Sequence, residues 1–103
     1  MTTLHVISHS PFGDERLASC LRLLGPDDGL LLCGDAVYAL RAGSEPCIQL
    51  RAANLEGRLY ALEEDLQARA LHEEDQRGEP AQVVDYPAFV ELSLRFDKVN
   101  GWL

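Results

Sequence analysis

A chain of 103 residues with 47% hydrophobic and 25% charged residues has the balance of one soluble globular domain with room for a single core. Its 17 acidic against 9 basic residues leave a formal net charge of −8, a surface that repels phosphate backbones and argues against an autonomous nucleic-acid-binding module. The longest apolar runs are far shorter than a membrane span, and the opening MTTLHVISHS lacks the basic n-region of a secretory signal, so a cytoplasmic protein is expected.

In chain order, LHVIS (4–8) is rich in β-formers and ends at the turn-forming HSPFGD, so it is the first predicted strand. Asp14 or Gly13 can cap the helix that follows, ERLASCLRLL (15–24), and Gly25-Pro26 ends it. On a 100° wheel Leu17, Cys20, Leu21, Leu23 and Leu24 form one apolar arc, wide for a single sheet contact in so small a domain. Part of that arc is therefore expected to face another subunit. The run GLLLC (29–33) has no polar alternation, which suggests a strand covered on both faces, as in a parallel sheet.

GDAVYALRAG (34–43) reads as a short helix, and SEPCIQLRAANLEG (44–57) as an irregular or partly helical connection. RLYAL (58–62) is the third predicted strand. EEDLQARALHEED (63–75) is the next helix, with carboxylates in its first turn, where the macrodipole favours them, and Leu66, Ala70 and Leu71 facing inward. AQVVDY (81–86) is a fourth strand, and PAFVELSLRF (87–96) a final helix with Pro87 near its start. Strand and helix alternate four times, the signature of one α/β domain over residues 1–103: a mostly parallel four-stranded sheet flanked by helices, with a fifth strand left open.

Sites in open parallel sheets gather at the carboxyl ends of strands. Cys33 and His9 lie after strands two and one, where they could form a thiol and base pair, although the sequence offers no third group to orient the base. Asp35, Glu63, Glu64 and Asp65 stand near strand ends as well, and capping and solvation explain them more cheaply than metal or acid/base chemistry. His5, inside a strand, reads as a structural histidine, and His72, on an acidic helix end, as solvated. Cys20, Cys33 and Cys47 are odd in number and lack CxxC spacing, so three free thiols are expected and no zinc site. No GxGxxG or P-loop is present, so no nucleotide cofactor is expected. Cys20 falls within the leucine arc with no basic neighbour on its own face; burial is the expectation, and its thiol should not be acidified.

The blocks LHVISHSP, CLRLL, LLLCGDAV, YALEEDLQARAL (60–71) and VDYPAFVELSLRFDKVNGWL, taken together and in order, resemble the TusB/DsrH family over nearly the whole chain. The resemblance implies a DsrE-like fold and a place as an accessory subunit of a TusBCD-like heterohexamer. Such a complex passes persulfide sulfur toward 2-thiolation of the wobble uridine in tRNA. TusC-like and TusD-like subunits are the implied partners, with small sulfur-carrier proteins as transient ones, and no direct contact with nucleic acid or membrane. The family's principal sulfur-accepting cysteine, near the start of the helix after the third strand, belongs to another subunit type. Here that region is Leu62-Glu63-Glu64, without a cysteine. Some DsrH proteins carry a cysteine in the first helix, where Cys20 stands, so the resemblance also admits a DsrH-like subunit of a DsrEFH complex in sulfur oxidation, with Cys20 carrying sulfur. The alternative of another class is a stand-alone thiol enzyme using Cys33 and His9.

Overall fold

The computed structural model describes residues 2–73 and 76–102. Five strands, β1 (Thr3–Ile7), β2 (Gly29–Leu32), β3 (Leu59–Leu62), β4 (Gln82–Val84) and β5 (Lys98–Trp102), form one sheet in the order β4-β3-β2-β1-β5. Every neighbouring pair is parallel. The described connections hold α1 (Arg16–Leu23), a 3-10 helix (Gly34–Leu40), α2 (Glu45–Ala52), α3 (Glu63–Ala68) and α4 (Tyr86–Ser93). The chain steps outward one strand at a time from β1 to β4. α4 then returns it across the sheet to β5, on the far side of β1.

Side-chain alternation along the strands sorts the core into two layers. Ile7, Leu30, Leu32, Leu59 and Ala61 pack with Leu17 and Cys20 of α1, Val37 and Leu40 of the 3-10 helix, Leu50 of α2 and Leu66 of α3. Leu4, Leu31, Tyr60, Leu62 and Val84 point the other way, onto Ala88, Phe89 and Leu92 of α4 and onto Phe96. Gly29–Leu32 and Leu59–Leu62 are buried at all positions because both sheet faces are covered, so neither strand needs a polar register. Each fully buried leucine of these layers contributes about 2 kcal/mol from burial.

Several helix boundaries differ from the sequence expectation. Ser44 accepts a hydrogen bond from the Cys47 N–H, and Pro46 occupies the first turn, so the stretch left open as irregular or partly helical holds a capped helix, α2. Glu15, rather than Asp14 or Gly13, stands at the N-cap of α1 and makes no side-chain cap bond. Asp14 instead accepts from the Arg16 N–H at 2.7 Å and pairs with its guanidinium. α3 ends at Ala68, and Ala70 adopts a left-handed φ of 58°, which stops the helix. Ala70 is therefore exposed, while Leu66 and Leu71 are buried as expected. Glu74 and Asp75, the end of the predicted helix, lie outside the described residues. The fifth strand is DKVNGWL's Lys98–Trp102, paired to β1 from Thr3↔Lys98 to Ile7↔Trp102.

Candidate functional site

The carboxyl end of the sheet is closed by pairings within the chain. Cys33 follows β2; its N–H donates to the Ile7 carbonyl at 3.0 Å, and its thiol donates to the same carbonyl at 3.6 Å. Gly34 turns the chain with a φ of 52°, and a Cβ there would sit 3.0 Å from the Ser8 carbonyl oxygen, so a side chain is doubly disfavoured. Its N–H donates to Asp65 Oδ2 at 2.7 Å, tying the turn after β2 to the first turn of α3. Arg69 completes the knot: it reaches Asp35 Oδ1 at 2.9 Å and Asp65 Oδ1 at 3.6 Å. The guanidinium groups of Arg41 and Arg69 lie 5.3 and 5.9 Å from the ring centre of Tyr38.

This arrangement answers the Cys33–His9 hypothesis. His9 is exposed, and among the described residues no hydrogen bond joins it to Cys33. Burial pushes the Cys33 thiol up from its ordinary value; the Asp65 carboxylate pushes the same way, and Arg69 only partly opposes them. A thiol so placed is a poor nucleophile near neutral pH, because thiolate is the reactive form. Asp35 and Asp65 are structural partners of Arg69, while Glu63 and Glu64 occupy the first turn of α3 without a shared focus. Among the described residues, no three His, Cys, Asp or Glu side chains gather to hold a metal ion.

Cys20 sits under α1 with 0% exposure. Burial, reinforced by the Asp28 carboxylate, pushes its thiol up to about 12. Of the leucine arc around it, Leu17 is buried, Leu21 and Leu24 are half-buried, and Leu23 is 69% exposed. Cys47 is also buried, and burial raises its thiol too. All three cysteines are free.

A polar network missed at the level of sequence lies at the opposite, amino end of β2. His5, 6% exposed, directs Nε2 to Asp28 Oδ2 at 3.3 Å, while its Nδ1 accepts from the Trp102 indole N–H at 3.1 Å. Asp28 also accepts from the N–H groups of Thr3 and Gly25, at 2.9 and 2.8 Å. Burial alone would raise the Asp28 carboxyl, yet these donors and His5 hold it below the usual carboxylate range. The local sequence GPDDG reads only as a turn, so nothing nearby marks Asp28 as the partner of a residue in β1.

The second sheet face carries a different feature. Tyr86, Val90 and Leu94 recur at four-residue spacing along α4 and just beyond it, with exposures of 50%, 57% and 81%. Val99 of β5, the register partner of Leu4, is 50% exposed on the same side of the sheet. A helix apolar on its sheet-facing side and on its outer side is the pattern of an element covered from both sides.

A five-stranded, all-parallel sheet in this order, flanked by helices, defines a DsrE-like α/β domain. The crystal structure of the ychN protein from E. coli superimposes on it with a TM-score of 0.79, covering 99% of this chain and 100% of that one, at 19% identity. The chain belongs to the DsrH-like protein family, whose sequence pattern matches residues 9–99. Among curated relatives, Protein TusB of Erwinia tasmaniensis is 39% identical over 99 residues, spanning 96% of this chain and 99% of that protein. Protein TusB of Yersinia enterocolitica is 33% identical and that of Yersinia pestis 35%, over the same shares of both chains. No helix among the described residues is long and apolar enough to cross a membrane.

Proposed function

We propose that this chain is an accessory, TusB-type subunit of a cytoplasmic sulfur-relay complex that passes persulfide sulfur toward 2-thiolation of the wobble uridine in tRNA. TusC-like and TusD-like α/β subunits complete the heterohexamer, and small sulfur-carrier proteins feed it. The observation that carries this reading is the nearly end-to-end similarity to proteins named TusB, at 33–39% identity. The chemistry of the chain agrees with an accessory place. Cys20 and Cys47 are buried, Cys33 is half-buried and bonded to a backbone carbonyl, and burial raises all three thiols. The outer side of α4 supplies apolar area for a partner to cover.

Co-expression with TusC-like and TusD-like chains, followed by affinity purification through a tag on this chain, tests the proposal. Stoichiometric recovery of both partners is expected, with the 2-thiouridine content of tRNA falling when this chain is deleted. A chain purified as a stable monomer that ignores both partners, with thiolation unchanged by its deletion, would contradict it.

A further inference from the structure

We propose that His5, Asp28 and Trp102 form an acid-released latch that fastens the C-terminal edge strand to the sheet. Apart from its backbone ladder with β1, β5 has little to hold its final residues. Lys98 through Gly101 are exposed, and Trp102 is the only residue of the strand that packs against the core. The start of the strand is anchored separately, through the Thr2 N–H to Asp97 Oδ2 at 2.9 Å and the Asp97 and Lys98 N–H groups to the Thr2 carbonyl. Beyond that ladder, the end depends on the indole and its bond to His5.

The direction of the hydrogen bonds makes the latch conditional. Indole N–H can only donate, so Nδ1 of His5 must be unprotonated to receive it, and the ring proton then sits on Nε2, facing Asp28. Protonation puts a second N–H on Nδ1, donor against donor, and the bond to Trp102 is lost. The other side of the ring behaves oppositely, because imidazolium and the Asp28 carboxylate attract. Asp28 keeps its charge well into acid, its carboxyl being held low by Thr3, Gly25 and His5. Acid thus releases one side of the ring while the other stays anchored, so the strand end loosens without loss of the core.

Among the described residues, the titratable groups around His5 are few. Asp28 faces it from the turn before β2. Cys20 of α1 lies within electrostatic reach of Asp28 but stays a neutral thiol. Arg58, ahead of β3, donates to the Gly25 and Asp28 carbonyls at 2.9 and 2.8 Å and holds the turn in place. The neighbouring β5 side chains, Asn100 opposite His5 and Trp102 itself, do not titrate.

The test is amide exchange and NMR titration of the full chain. Over a titration from about pH 8 to 5, the indole N–H resonance of the natural protein should move in step with the His5 ring nitrogens. Protection of the Asn100 and Trp102 amides, the ones that face β1, should fall about fivefold on acidification relative to β2 and β3, the factor that one net hydrogen bond confers. His5→Gln can donate to Asp28 and accept from Trp102 without titrating, so its β5 protection should be independent of pH over this range. Trp102→Phe should show low protection of this strand end at every pH. A β5 end that loosens equally in His5→Gln, or an indole resonance indifferent to His5 ionisation, would overturn the latch.

Discussion

The two faces of the sheet solve the same burial problem unequally. One face is sealed by α1, the 3-10 helix, α2 and α3, and includes Ile7, Cys20, Leu30, Leu32, Leu50 and Leu66 with at most 1% of their surface exposed. Among the described elements the other is crossed by α4 alone, and the apolar residues on its outer side, Tyr86, Val90 and Leu94, remain half or more exposed. The comparison separates residues that hold the domain together from residues left for an assembly. It also divides the thiols, since Cys20 belongs to the sealed layer and Cys33 packs against the layer under α4.

The largest contrast should appear in thiol reactivity. A thiol at about 12 presents roughly a thousandfold less thiolate at neutral pH than an ordinary cysteine. In the folded chain Cys20 should therefore resist iodoacetamide at pH 8, with Cys33 labelled ahead of it, as read by peptide mass spectrometry. Rapid labelling of Cys20 would show that the layer beneath α1 is not sealed. Next in size, Leu50→Ala on the sealed face should cost about 2–5 kcal/mol in urea unfolding, because it leaves a cavity the packed layer cannot close. Asp28→Ala should cost about 3 kcal/mol by the same measurement, since three donors lose a charged acceptor.

The pH dependence has a defined sign. Asp28 has a folded-state pKa below its unfolded value, so its contribution is complete above the unfolded value of about 4 and fades as pH falls through the lower folded one. In Asp28→Asn the unfolding midpoint should be flatter with pH across that acid range. The smallest effect belongs to the open face. Val90→Ser and Leu94→Ser should change the stability of the isolated chain by about 0.5 kcal/mol or less while weakening recovery of partner subunits.

The sequence made the sealed layers easy to read because strands buried on both faces must be apolar throughout, and GLLL and LYAL are. β5 is hard to read from sequence for the opposite reason. As an edge strand it needs few apolar side chains, and Lys98, Asn100 and Gly101 gave no alternating pattern. The end of α3 was hidden because nothing local announces that Ala70 takes a left-handed conformation. The burial of Cys20 was legible from its leucine neighbours. The Asp28 network was not, since its members are brought together by strand pairing across 23 and 97 positions of sequence.

Treatment of the assembled complex with a persulfide donor, followed by mapping of adducts by mass spectrometry, tests the accessory role most directly. Sulfur should appear on a partner subunit's cysteine, leaving Cys20, Cys33 and Cys47 unmodified, and Cys20→Ser should retain sulfur transfer. A persulfide on Cys20, together with loss of transfer in an intact Cys20→Ser complex, would contradict the account and make this chain a carrier of sulfur.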